Sequence, residues 1–298
     1  VIPAVTAASI YDVPLEFEKA DVGLTISKLL HLPYHEVDLK RWQKLFDSRS
    51  SIQQVKKIGL IAKYAGFDDA YFSVIEAIRA ASWHEGIKPE IIGIDAERLE
   101  KEGEGMLLGL DAIVVPGGYG KRGTEGKIIA ARYAREKKIP YLGLCLGMQM
   151  MVIETARNVL NLADATSEEF DPEAENLVIH LMEAQKGILN KGGTNRLGIY
   201  DCSLVDGTKT KAAYGCDTIQ ERHRHRYEYN SFYREALENS GLLVAGVHPT
   251  LGLVEIVERK DHPFMVGSQF HPEFLSRPTK PHPLFVGLMR ATLSISNL

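Results

Sequence analysis

The chain has 298 residues, 45% of them hydrophobic and 25% charged, with a formal net charge of −4. That is enough to bury a sizeable core in one large or two modest domains, and the acidic balance argues against a nucleic-acid partner. No run approaches the roughly 18 to 20 consecutive apolar residues that cross a bilayer, the opening Val1-Ile-Pro-Ala lacks the order of a signal peptide, and three cysteines are too few for a disulfide framework. A reducing, cytoplasmic compartment without membrane attachment is expected, with Cys202 and Cys216 structural.

In chain order, the first fifty residues are helical but discontinuous. The pattern from Ser9 to Glu18 is broken at Pro14, an apolar cluster at Leu24, Leu29, Leu30 and Leu32 stops at Pro33, and a helix is predicted from about Asp38 to Arg49. No strand is predicted before Lys56. From there strands rich in Ile and Val alternate with helices, the pattern of an α/β fold with a mostly parallel sheet covered on both faces. Strands are predicted at Lys56 to Tyr64, Glu90 to Ile94, Ala112 to Val115 and Tyr141 to Leu144. The helices between them run from about Asp68 to Trp83, Ala96 to Leu108 and Gly126 to Glu136. In the first of these, Tyr71, Val74, Ile75, Ile78 and Ala81 form one buried stripe at helical spacing. The second half is richer in strand: Leu177 to Leu181, Arg196 to Leu204, Thr218 to Tyr229, Leu242 to Val247, Leu253 to Glu258 and Phe264 to Gln269. A helix from Leu284 to Ser296 closes the chain.

Pro140-Tyr-Leu-Gly-Leu-Cys145-Leu-Gly-Met-Gln149 reads as a buried strand that ends in a sharp turn and lifts one cysteine into the open. Gly143 and Gly147 flank it, as a strand-to-helix elbow requires where two backbones pass closely around a strained residue. A thiol there meets the free N–H groups and positive dipole end of a helix starting near Leu146, which favour a thiolate and a developing oxyanion. A base follows late in the chain, in Gly267-Ser-Gln-Phe-His271-Pro-Glu273-Phe274. In an extended segment His271 and Glu273 point to the same side, so the carboxylate can hold the imidazole in the tautomer that accepts a thiol proton. A lone buried cysteine is usually inert, and a lone histidine before proline is usually a turn residue. Their pairing carries the signal.

Pro116-Gly-Gly118-Tyr-Gly, the GLCLGMQ run around Cys145 and FHPEF around His271 resemble the class I, or triad, glutamine amidotransferase family. ARYAREKKIPYLGLCLGMQ, ATSEEFDP, ERHRHRYEYN and HPEFLSRP are similar, in order and spacing, to the glutaminase domains of the CTP synthase family. The resemblance runs from about Ile58 onward. It implies an α/β domain over residues 53–298 with a central, mostly parallel sheet, preceded over residues 1–52 by the tail of a synthetase domain and a helical linker. It also implies release of ammonia from L-glutamine through a cysteinyl thioester, with Cys145, His271 and Glu273 catalytic. The oxyanion would be met by the backbones of Gly118 and Leu146. Gly118, Leu146, Gly147, Met148, Gln149, Glu169 and Arg226 would surround glutamine, Glu169 at its α-amino group and Arg226 at its carboxylate.

A synthetase half, which such enzymes carry on the same polypeptide, would use ATP and Mg to aminate UTP. GTP would act as allosteric activator, and the full-length enzyme would be a homo-oligomer. No cofactor or metal is expected in this domain: the chain lacks a GxxxxGK[ST] phosphate loop, and the histidines of Glu221-Arg-His-Arg-His-Arg-Tyr227 alternate with cations that would repel a metal. Another triad γ-glutamyl hydrolase, or an amidotransferase serving a different synthetase, is the alternative, and a non-catalytic assembly module, with the first fifty residues as its packing surface, a third. One departure from the family pattern is Asn195 in Gly192-Gly-Thr-Asn-Arg-Leu-Gly198, where a long apolar side chain is usual. A polar amide there predicts a surface or domain-facing position away from the thiolate.

Overall fold

The computed structural model describes residues 2, 6–63, 68–182 and 195–295. Ten helices and twelve strands are recorded among them. The helices are α1 (Val13–Lys19), α2 (Val22–Leu29), α3 (Lys40–Ser51), α4 (Phe72–His84), α5 (Ala96–Glu102), α6 (Thr124–Lys137), α7 (Leu146–Asn158), α8 (Lys209–Tyr214), α9 (Arg234–Asn239) and α10 (Pro283–Ile295). The strands are β1 (Val55–Ala62), β2 (Lys88–Asp95), β3 (Ala112–Val115), β4 (Tyr141–Leu144), β5 (Thr166–Ser167), β6 (Leu177–His180), β7 (Arg196–Leu204), β8 (Thr218–His225), β9 (Glu228–Tyr229), β10 (Leu242–Val247), β11 (Val254–Arg259) and β12 (Met265–Ser268).

Nine strands form one sheet in the order β2-β1-β3-β4-β12-β11-β10-β7-β8. From β2 through β12 neighbours are parallel, and from β12 through β8 they are antiparallel. The parallel half follows from its residues: β3 and β4 are buried at every position, so they read as continuous apolar runs and need helices on both faces. One face packs a cluster that includes Leu99, Ala131, Met150 and Ile153 beneath α5, α6 and α7. The other packs Val74, Ile78, Phe285 and Leu288 of α4 and α10. In such sheets ligands bind beyond the carboxyl ends of the strands, and β1, β3, β4 and β12 all end on the same side.

Several expectations need correction. Pro14 does not break the first helix; it lies in the first turn of α1, where its missing N–H has no helical partner to lose. The helix expected from Ala96 to Leu108 stops at Gly103, whose φ of 79° ends α5 and starts a separate 3-10 turn over Glu104–Leu107. The strand expected from Thr218 to Tyr229 is two strands. The chain leaves the large sheet after His225, and β9 joins β5 and β6 in a smaller one. Strand β5 and the short helices α8 and α9 were not expected. Tyr64 and Ser296, which end the first predicted strand and the last predicted helix, lie outside the described residues.

Among the described residues no strand precedes Val55. The leading helices pack on α4: Tyr11 meets Trp83 edge-on at 5.3 Å and donates to Glu76, while Arg49 pairs with Asp12 at 2.5 Å and lies over the Trp83 ring. No described helix is long and apolar enough to cross a membrane.

Candidate active site

β4 delivers Cys145 to the elbow with φ 51° and ψ −102°, a backbone conformation that a residue with a side chain occupies only under strain. The flanking glycines make the turn possible. A Cβ on Gly147 would lie 2.1 Å from the Val115 carbonyl oxygen, and one on Gly143 would lie 2.6 Å from that of Gly147. The Cys145 N–H donates to the Ser268 carbonyl at 2.7 Å, tying the elbow to β12. The thiol therefore stands at the N-terminus of α7, where helix N–H groups stabilise negative charge.

β12 continues into the second half of the site. The His271 N–H donates to the Arg222 carbonyl at 2.8 Å, and Pro272–Phe274 forms a 3-10 turn. His271 and Glu273 thus meet across a tight turn and not along an extended segment as expected. Their contact is short, with Nδ1 2.7 Å from Oε1, and the ring stacks on Phe274 at 5.1 Å. Nε2 has no hydrogen-bond partner among the described residues. Burial on its own would lower the imidazole, but the facing Cys145 sulfur and then the Glu273 carboxylate outweigh it and raise His271 to about 10. The arrangement favours the charged imidazolium at His271.

Cys145, His271 and Glu273 line one cavity of about 500 Å³, together with Gly117, Gly118, Tyr119, Lys63 and Arg224. Leu146, Gly147, Met148 and Gln149 are buried and do not line it. Gln149 instead donates to the Tyr227 carbonyl at 3.2 Å and to Gln269 at 3.3 Å; the Gln269 amide nitrogen lies 3.9 Å from the Cys145 sulfur. Glu169 is half-buried and accepts the Gly120 N–H at 2.7 Å. Burial raises its carboxyl, while that bond and the nearby Lys63 and Arg226 act against the rise. Tyr119 donates to the Arg224 carbonyl at 2.8 Å, joining this loop to the end of β8.

Lys63, Lys127, Tyr119 and Gln269 went unnoticed in the sequence. For Lys127 a signal exists, because it shares the buried face of α6 with Ala130, Ala131 and Ala134, where a lysine is out of place. Cys202 is buried against Gly246 and burial pushes its thiol up, whereas Cys216, expected to be structural, is exposed. Gly192 to Thr194 lie outside the described residues. Asn195 is half-buried, and its Oδ1 is buried without a partner among the described residues, so exposure does not explain its polarity. Among the described residues no group of three His, Cys, Asp or Glu side chains is arranged to hold a metal.

The sequence model of the family described as "Glutamine amidotransferase class-I" matches residues 67–291. A CTP synthase of Carboxydothermus hydrogenoformans is 50% identical over 100% of this chain and 56% of its own length. One of Chloroflexus aurantiacus is 51% identical over 98% of this chain and 54% of its own. The chain therefore spans about half the length of these curated relatives. Among solved structures, the glutaminase domain of Trypanosoma brucei CTPS with bound acivicin superposes with a TM-score of 0.75 at 38% identity, covering 80% of this chain and 94% of that one.

Proposed function

Given that this chain belongs to the class I glutamine amidotransferase family, we infer that it is a glutaminase unit that frees ammonia from L-glutamine for a synthetase half of the CTP synthase type. One observation carries the reading: a strained cysteine at a helix N-terminus and a carboxylate-held histidine open into one cavity. The thiolate of Cys145 attacks the side-chain amide carbon of glutamine. The oxyanion that forms is assigned to the backbone N–H groups of Gly118 and Leu146. As the C–N bond breaks, His271 passes its proton to the leaving nitrogen and ammonia departs, leaving a γ-glutamyl thioester on Cys145. The neutral imidazole then takes a proton from water, whose oxygen attacks the thioester and releases glutamate. Glu273 keeps Nδ1 protonated throughout, so that Nε2 faces the reacting atoms.

Glu169 and Arg226 are assigned to the α-amino and carboxylate groups of glutamine. Their positions around Tyr119 support this, since Glu169 lies within electrostatic reach of Arg226 and both act on Tyr119. Release from the Gly120 N–H would free the Glu169 carboxylate for an ammonium group. Residues 1–52 are assigned to a preceding synthetase domain and linker, and ATP with Mg, UTP, an activating GTP and homo-oligomerisation belong to that larger enzyme. Three cysteines without a disulfide suit the cytoplasm.

A thiol-reactive glutamine analogue tests the reading. It should add one mass equivalent at Cys145, and L-glutamine should protect. Labelling elsewhere, or no ammonia release from glutamine by the chain joined to its synthetase half, would count against it.

A further inference from the structure

Behind the loop that follows β3 lies a lysine without solvent contact. Lys127 is fully buried, and its recorded hydrogen bond among the described residues runs from Nζ to the Pro116 carbonyl at 3.1 Å. Lys63 holds the far end of the same loop, donating to the carbonyls of Tyr119 at 2.5 Å and Gly120 at 2.7 Å. The Tyr119–Gly120 peptide is gripped at both ends, because its N–H donates to Glu169. A Cβ built on Gly118 would find Lys127 Nζ at 3.8 Å and the Lys63 side chain at 3.9 Å, so both amines lie directly under the loop.

The consequence follows from peptide geometry. In a trans peptide the C=O and the following N–H point in opposite directions, and no cis bond occurs among the described residues. With the Pro116 carbonyl turned toward Lys127, the Gly117 N–H is turned away from it. Pro116, Gly117 and Gly118 line the cavity, and Lys127 does not. Gly117 lies so near the reacting groups that an added Cβ would meet His271 Cε1 at 2.8 Å and the Cys145 Cβ at 3.5 Å. Rotation of the Pro116–Gly117 peptide would swing the Gly118 N–H that follows it away from the developing oxyanion.

We propose that Lys127 is a positioning residue that fixes the Pro116–Gly117 peptide and so holds the Gly118 N–H that follows it toward the substrate oxygen beside Cys145. A purely structural role is poorly served by lysine, since burying an amine is costly and an apolar side chain would fill the space without that cost. The environment accordingly pulls Lys127 down to about 7, through burial first and the neighbouring Lys63 second. A neutral amine still carries N–H donors, so the bond to Pro116 survives loss of the charge.

The inference rests on the glutaminase reading, and its test separates the two. In Lys127→Met, joined to the synthetase half, kcat for glutamine hydrolysis should fall at least about tenfold with KM changed less than about threefold, as for loss of a group felt in the transition state. Alkylation of Cys145 by iodoacetamide, a displacement that builds no oxyanion, should stay within about twofold. Amide hydrogen exchange across residues 116–120 should quicken at least about tenfold. Lys127→Gln keeps an N–H donor and should return kcat and exchange toward the parent values; it also stands in if the Met variant fails to fold. Unchanged kcat and exchange in Lys127→Met would overturn the proposal. So would alkylation that falls in step with hydrolysis, or a Gln variant no different from Met. A parent enzyme that releases no ammonia would refute the glutaminase reading, and the exchange measurement would then decide the Lys127 inference alone.

Discussion

Gly147→Ala puts the elbow geometry to its sharpest test. The added methyl would sit 2.1 Å from the Val115 carbonyl oxygen, 3.0 Å from its carbonyl carbon and 3.2 Å from its Cβ, where ordinary contact begins near 3.4 Å. These atoms belong to β3, clamped between β1 and β4, so relief must come from the first turn of α7 lifting off the sheet by about an ångström. Overpacking of this kind costs roughly 1 to 3 kcal/mol. The same movement breaks the bond from the Tyr141 hydroxyl to the Gly147 carbonyl, 2.9 Å and fully buried, for about 1 kcal/mol more. The expected loss is therefore about 2 to 4 kcal/mol in urea unfolding. Because Cys145 rides on that turn, displacement by about 1 Å should also slow glutamine hydrolysis by around a hundredfold. Gly105→Ala is the control: no atom lies within 4 Å of its Cβ position and its φ is ordinary, so its melting should match the parent within about 0.5 kcal/mol. A Gly147→Ala protein as stable and active as the Gly105→Ala control would show that α7 does not press on β3 and that the elbow is not held by close packing.

Cys145→Ala should abolish ammonia release from glutamine while leaving amination from added ammonia largely intact in the chain joined to its synthetase half; equal loss of both would make Cys145 structural. His271, raised to about 10, should stay charged well above the ordinary imidazole range. The stability this gives is present below about pH 6.5 and is lost as pH rises through about 10. Followed by NMR, the ring should titrate near 10 and move back toward 6.5 in Cys145→Ala; a midpoint below about 7.5 in the parent would refute the upward shift. Deleting residues 1–50 removes the buried Leu15 and Leu45 and the contacts on Trp83, yet leaves every described strand. Thermal melting should therefore stay cooperative at a lower midpoint, and loss of a cooperative transition would show that these helices complete the core.

The elements legible from sequence are those whose geometry one segment decides. β3 and β4 announce themselves as unbroken apolar runs because both their faces are buried, and Cys145 stands out because the two glycines that let its elbow form are neighbours in the chain. His271 and Glu273 were legible as a pair for the same local reason, although the 3-10 turn that joins them was not, since Pro272 suits a turn as well as an extended segment. The break at Arg226 and Tyr227 left no local mark. Alternating burial runs evenly through β8, and the partners that hold the chain beyond it, Gln149 on the Tyr227 carbonyl and β6 beside β9, are distant in sequence.

Buried polar groups were the least legible class, because each owes its place to partners distant in sequence. Arg196 of β7 is the clearest case: its guanidinium reaches Glu228 of β9 at 3.1 Å and Glu255 of β11 at 2.8 Å, all three almost fully buried. Burial pushes both Glu228 and Glu255 up despite that arginine, which eases the placing of two carboxylates against one guanidinium. His223 and His225 contact each other beside this cluster at 2.9 Å, and burial drives both down, which makes neutral rings of the two histidines that in the sequence suggested a metal or a basic patch. The alternation of arginine and histidine along β8 is thus a two-sided strand. Glu221, His223 and His225 face inward toward buried carboxylates and rings, while Arg222 and Arg224 face outward, and only the outward set can meet a ligand or a partner domain.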